Sequence, residues 1–260
     1  MSAFACSRIP LGRAWLRPAL TGLGMLLALG NAHAAMVIDD FVDPGSVSDG
    51  TLFDGGQTLS VTATGGTILG GTRHMQVEKT GLIALNVPAL KASLATSSCA
   101  GSGGSQHCMS FNTAVATTGT AMLGYDAGGI GLGSLDLSES GANNAIVVNQ
   151  VFGDADADAL LTLTVRDHDS TQSRSLSTLS GIAGLPGEDL VFRFGDFDAI
   201  DFTRVESLHI EIVSLVSSVD IQFRYLAATH IPPAPVPLPA PALLLASALV
   251  AMLVIRRRQA

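Results

Sequence analysis

Lysine and tryptophan are almost missing from this 260-residue chain: Lys79 and Lys91 are its two lysines and Trp15 its one tryptophan. Phosphate backbones are held by clustered Lys and Arg, so nucleic acid is excluded as a partner. Sugar sites commonly stack ring faces on aromatic side chains. Beyond Trp15 the polar aromatics are Tyr125 and Tyr225, which disfavours a strong polysaccharide-binding module. No central stretch is highly charged, repeats at three or seven, or runs apolar for about 18 residues, so a disordered acidic tail, collagen, a coiled coil and a polytopic membrane protein are ruled out. Catalytic signatures are missing too. There is no Gly-x-Ser-x-Gly elbow and no His-Glu-x-x-His helix, and nothing among the 22 acidic residues singles out a pair for sugar hydrolysis. The chain is therefore expected not to be an enzyme. What is present is 47% hydrophobic residues and 28 glycines, the composition of a turn-rich all-β domain with one core.

Much of the apolar content lies at the ends. Residues 1–34 have the parts of a secretory signal: Arg8, Arg13 and Arg17 without an acidic residue, an apolar stretch from Ala19 to Gly30, and Ala32 and Ala34 bracketing His33 as a small-x-small cleavage site. Signal peptidase would leave Ala35 as the new N-terminus; a retained N-terminal helix is the alternative. At the other end, residues 230–241 are proline-rich, 242–255 carry no charge, and 256–260 begin with Arg256, Arg257 and Arg258. Proline forces the linker to be extended and permits helix from about Pro241. A helix from there to Ile255 would rise about 22 Å, short of the ~30 Å hydrocarbon core, so it is a marginal transmembrane helix. The arginines orient it with its C-terminus in the cytoplasm and can snorkel to cover part of the mismatch.

The order Val236, Pro237, Leu238, Pro239, Ala240, short apolar helix, Arg cluster resembles the VPLPA-type variant of the PEP-CTERM sorting signals over about 25 residues. The resemblance implies recognition by an exosortase in the inner membrane of a Gram-negative bacterium, followed by transfer to the cell surface or extracellular matrix. A plain single-pass anchored periplasmic protein is the competing reading.

Six of the 14 basic residues are the arginines of the two ends, so eight face all 22 acidic residues and the exported part carries a formal charge of −14. Its two cysteines, Cys99 and Cys108, bracket a flexible Gly-Ser tract and are expected to form a disulfide in an oxidising compartment, worth roughly 2.5–3 kcal/mol. A metal site using Cys99, His107 and Cys108 lacks further ligands nearby, and Cys-x-x-Cys redox spacing is absent.

Between Met36 and Thr229 the pattern has period two. Leu161, Leu163 and Val165 alternate with threonines; Leu208, Ile210 and Ile212 with His209 and Glu211; Val219, Ile221, Phe223 and Tyr225 with polar residues. Further strands are predicted at 37–41, 58–63, 74–78, 81–86, 110–116, 121–125, 145–152, 173–179 and 190–194. Residues 35–229 are thus expected to form an antiparallel β-sandwich with little helix. Ile38-Asp39-Asp40-Phe41, the run from Ile68 to Arg73, and the run from Asp201 to Ile210 resemble galactose-binding-like jelly rolls, a fold whose members often bind sugars.

The acidic residues raise calcium as a cofactor at two places. Asp154, Asp156 and Asp158 alternate, which would put their carboxylates on one side of an extended segment, although the EF-hand glycine and glutamate are missing and a solvated turn explains them as well. The jelly-roll resemblance implies an ion near the domain start, at Asp39 or Asp40. Asp167-His168-Asp169 could hold a metal or a perturbed imidazole, with ordinary turn chemistry as the alternative. Asp196, Asp198 and Asp201 interleave with Phe194, Phe197 and Phe202, either as a ligand rim or as a turn closing the core. The functional expectation is an exported structural protein of the cell surface or exopolysaccharide matrix. Carbohydrate binding by the same fold is the alternative.

Overall fold

The computed structural model describes residues 35–50, 58–80, 91–100, 104–153, 158–177 and 189–233. Its strands are β1 (Met36–Asp39), β2 (Ser46–Asp49), β3 (Leu59–Thr64), β4 (Thr72–Lys79), β5 (Ala92–Ser98), β6 (His107–Thr113), β7 (Gly119–Tyr125), β8 (Ala145–Gly153), β9 (Ala159–Asp167), β10 (Thr171–Ser177), β11 (Asp189–Arg193), β12 (Val205–Ser214) and β13 (Asp220–Thr229). Helix is confined, among the described residues, to two 3-10 turns at Leu69–Gly71 and Phe194–Asp196. No helix among these residues is long and apolar enough to cross a membrane. The predicted signal, sorting motif, transmembrane helix, basic tail, the strand at 81–86, and Asp154 and Asp156 lie outside the described residues.

Two antiparallel sheets make a sandwich. One runs β11-β8-β13-β6-β5-β2, with β1 added on β13; the other runs β10-β9-β12-β7-β4-β3. Strand β13 organises the first: β8 lies along one edge, while β6 pairs with residues 220–223 and β1 with 226–228 on the other. In the second sheet, Leu163, Ile210, Leu123, Met75 and Val61 form a cross-strand row on the inner face. Alternation makes such rows inevitable once register is set, because a side-chain period of two puts every second residue on the same face. Phe111, Phe192, Ile221, Phe223 and Leu226 enter from the first sheet and join the same core. Strands β2 and β5 were not predicted, because Val47, Leu94 and the small Ala92 are their only buried apolar residues.

Candidate functional site

Two strings singled out in the sequence meet inside the sandwich. Asp39 at the end of β1 and Arg73 in β4 form an ion pair with both side chains fully buried, Arg73 Nη1 lying 2.7 Å from Asp39 Oδ2. Tyr125, also fully buried, donates its hydroxyl to the same oxygen at 3.0 Å, and the Phe41 amide donates to Oδ1 at 2.8 Å. Arg73 Nη2 donates to the Asp43 carbonyl, and the guanidinium lies 5.6 Å from the Phe41 ring centre. Burial pushes the Asp39 carboxyl above its ordinary value, outweighing the pull of Arg73. Burial first, and then the Asp39 charge, pushes the Tyr125 phenol well above its own. Asp39 is thus balanced by a guanidinium, and an ion bound to it would have to displace that partner. Asp40 accepts hydrogen bonds from Thr67 Oγ1 and the Val42 amide. Tyr125, one of the two aromatics the sequence left for sugar stacking, is a core residue with no surface to offer.

The two aspartate motifs further along converge at one end of the sandwich. Asp167 accepts the amides of Asp169 and Ser170 on Oδ1 and that of Asp201 on Oδ2, at 2.6–2.8 Å. These amides, that of Asp201 first, hold its carboxyl below the ordinary range. Asp201 accepts from Thr203 and Arg204, which lower its own value. His168 faces outward, 3.4 Å from Glu206. Phe194 stacks on Phe202 at 3.8 Å between ring centres, with Phe197 edge-on to Phe202 at 5.7 Å; Phe197 and Phe202 are buried. These phenylalanines close the core, Asp167 and Asp201 accept the amides of the turns, and Asp196 and Asp198 are exposed. Asp158 is exposed, and its carbonyl accepts the Leu215 amide. Among the described residues no group of three or more His, Cys, Asp and Glu is placed to hold a metal. Cys99 and Cys108 are joined in the expected disulfide, linking the end of β5 to the start of β6.

The outer face of the six-stranded sheet is different in kind. In register across it stand Ser173, Thr164, His209, Gly124, His74 and Thr62, and in the next row Ser175, Thr162, Glu211, Met122, Gln76 and Ser60. Hydroxyls pair along the β9–β10 side, Thr162 with Ser175 at 2.9 Å and Thr164 with Ser173 at 2.8 Å. Gln76 Nε2 meets His74 Nε2 at 2.9 Å, and Thr62 Oγ1 lies 3.4 Å from His74 Nδ1. A shallow depression of about 150 Å³ lies beside them, lined by Thr58, Gln76, Glu78, Thr120, Met122 and Glu211 among others. Burial lowers the His209 pKa; Asp126 opposes this, while Arg166 and His74 add to it. His209 therefore stays neutral at neutral pH and presents one donor and one acceptor. Sequence reasoning treated these residues as the wet side of strands. The signal that could have found them is the histidine, glutamate and glutamine at outward positions, where threonine and serine suffice for solubility.

The chain matches no family profile and no curated protein sequence. Among solved structures it is similar to the enzymatically active domain of bacteriophage CBA120 tailspike protein 4, at 9% identity and a TM-score of 0.38, covering 59% of this chain and 19% of that one. It is also similar to the family 11 carbohydrate-binding module of a Clostridium thermocellum cellulosomal cellulase, at 11% identity and a TM-score of 0.38, covering 78% of this chain and 99% of the module. A second structure of that module, in complex with a β-1,3-1,4-mixed-linked tetrasaccharide, aligns at 11% identity and a TM-score of 0.38 over 76% and 96% of the two chains. At such scores neither a site nor an activity carries over.

Proposed function

We propose that the chain is an exported β-sandwich, delivered to the cell surface or extracellular matrix, that binds a polyhydroxylated polymer on the outer face of the six-stranded sheet without turning it over. The observation that carries this reading is the two-row lattice of hydroxyl, imidazole, amide and carboxylate groups around Gly124, next to a depression with Glu78 and Glu211 in its wall. Such groups, held in register by hydrogen-bonded strands, match alternating donors and acceptors of sugar hydroxyls, and preorganisation limits the entropy lost on binding. The proposed delivery rests on the sequence ends: a secretory signal over 1–34, and the motif from Val236 to Ala240 with the tail from Arg256 to Arg258 as an exosortase substrate.

Pull-down of the full chain, kept in a detergent without a sugar headgroup, with exopolysaccharide extracts tests the binding. Saturable capture weakened by Gln76→Ala or Glu211→Ala is expected. Capture by no extract would leave a purely structural role, and turnover of the polymer would make the protein an enzyme. Delivery is tested by intact mass of the surface fraction: loss of the segment carrying Arg258 is expected when the host has its exosortase, and retention in every fraction reduces the tail to an anchor.

A further inference from the structure

We infer, resting on the reading above, that the imidazole of His209 lying over Gly124 is the ring-binding platform of this face, and that its ligand is an uncharged glycan. Gly124 sits in the interior of β7, between β4 and β12, with an ordinary extended backbone that does not demand glycine. Glycine inside a strand weakens it and commonly marks a place where something must come close. Here a Cβ would lie 3.2 Å from His209 Nδ1, 3.4 Å from its Cε1 and 3.6 Å from His74 Cβ. The missing side chain is what lets the His209 ring lean across the strand.

The two imidazoles differ in freedom. His74 Nε2 accepts from the Gln76 amide, which leaves its proton on Nδ1, toward Thr62. Neither ring nitrogen of His209 has a hydrogen-bond partner among the described residues. One imidazole is fixed by the protein, and its neighbour is left half-buried at the centre of the lattice, its Nδ1–Cε1 edge over Gly124. That supplies the flat ring which the buried Tyr125 cannot.

Charge selects the ligand class. His209 lies among His74 from β4, Asp126 just after β7 and Arg166 from β9, with Glu211 two positions along its own strand on the same face. Glu78 and Glu211 line the adjoining depression, and the exported part as a whole is strongly acidic. A polyanion is repelled by this field, whereas a neutral sugar ring can rest its C–H face on a neutral imidazole and exchange hydrogen bonds with its nitrogens. Protonation converts both nitrogens to donors and adds a charge that the seated sugar would desolvate, so binding weakens in acid.

The test is calorimetric titration of the full chain, in a detergent without a sugar headgroup, with three probes: a neutral β-glucan, alginate as a polyuronate, and chitosan oligomers as a polyamine. Each is titrated near neutrality and at about pH 5, in low and high salt. The β-glucan is expected to bind near neutrality, insensitive to salt, to weaken in acid, and to weaken by about tenfold or more in His209→Ala. His209→Gln should keep part of the affinity and lose its pH dependence, a readout that a merely structural role would not move. Gly124→Val, checked for folding by near-ultraviolet circular dichroism, should weaken binding as His209→Ala does. Alginate binding that tightens in acid, or salt-sensitive binding of chitosan alone, overturns the inference. If Gln76→Ala or Glu211→Ala weakens β-glucan binding while His209→Ala does not, the face stands as a site and the platform does not. Binding of none of the probes overturns both.

Discussion

Asp39 and Asp167 are both buried aspartates at strand ends, and their surroundings drive them in opposite directions. Asp39 faces one guanidinium, one phenol and a single backbone amide with its side chain fully buried, and burial lifts its carboxyl. Asp167 faces three backbone amides in a turn, and those dipoles lower it. Amides aimed at an oxygen stabilise its charge without bringing in a second charge that must itself lose water. Asp39 therefore depends on a partner from another sheet, while Asp167 is served mostly by the loop it organises. The first holds β1 of one sheet to β4 and β7 of the other. The second shapes one end of the sandwich.

The largest effect is expected from breaking the first cluster. Arg73→Ala leaves the Asp39 carboxyl without its guanidinium and removes the cation over Phe41, which sits at a left-handed φ of 58° with its amide on Asp39. Loss of one member of a buried pair costs about 3–5 kcal/mol, to be read from chemical denaturation. Replacing the whole polar set, Asp39→Leu with Arg73→Met and Tyr125→Phe, should recover much of that loss, because no uncompensated charge remains. A triple variant as unstable as Arg73→Ala would mean that geometry, and not charge balance, is what the cluster supplies.

A smaller effect is expected at Asp167. Asp167→Asn keeps one acceptor for Asp169 and Ser170 but turns a donor toward the Asp201 amide, an unsatisfied contact costing about 1–3 kcal/mol. The pH dependence separates the two aspartates. A carboxyl held low binds fewer protons folded than unfolded, so the contribution of Asp167 is present above the unfolded value of about 3.9 and is lost as pH falls through its folded value. A carboxyl held high has the reverse sign: the contribution of Asp39 is full below the unfolded value and is lost as pH rises through its folded value. Urea denaturation from neutrality to acid should show the Asp167→Asn penalty shrinking below about pH 4. A penalty that stays constant across that range would refute the assigned direction.

The strands around Leu163, Ile210 and Ile221 were legible because each alternates large apolar residues with polar ones, and that pattern has one solution in a half-buried sheet. Strands β2 and β5 were not, since Ser46-Val-Ser-Asp49 and the serine-rich run from Ala92 to Ser98 bury too little to announce themselves. The inward turn of Arg73 and Lys79 was hidden for the opposite reason: the strand was predicted only at 74–78, and these charged side chains flank that run at the buried positions that continue its alternation. The candidate binding face was hidden in another way. His74, Gly124 and His209 become neighbours only through the order β4-β7-β12, and strand order cannot be read from alternation. Tyr125 failed as a sugar platform because its hydroxyl has an acceptor deep in the core, which lets a polar aromatic be buried.

The smallest effect is expected at the rim of the Asp167 turn. Arg204 is half exposed, 2.9 Å from Asp201 and 3.4 Å from Asp169, and these contacts raise its pKa further from neutrality. It resembles Arg73 in chemistry and differs in solvation. Its guanidinium stays in water, so truncation strands no buried charge, and each carboxylate keeps either water or backbone donors. The backbone amides of Thr203 and Asp201 already supply Asp201 and Asp167. Arg204→Ala should therefore move Tm by no more than about 2 °C, with the difference shrinking in high salt as surface attraction is screened. The same substitution at Arg73 should be insensitive to salt, because no counter-ion reaches a fully buried pair. If Arg204→Ala proved as costly as Arg73→Ala and equally indifferent to salt, solvation would not be what separates the two clusters. The Asp167 turn would then have to be reread as a network in which Arg204 carries the amides' load.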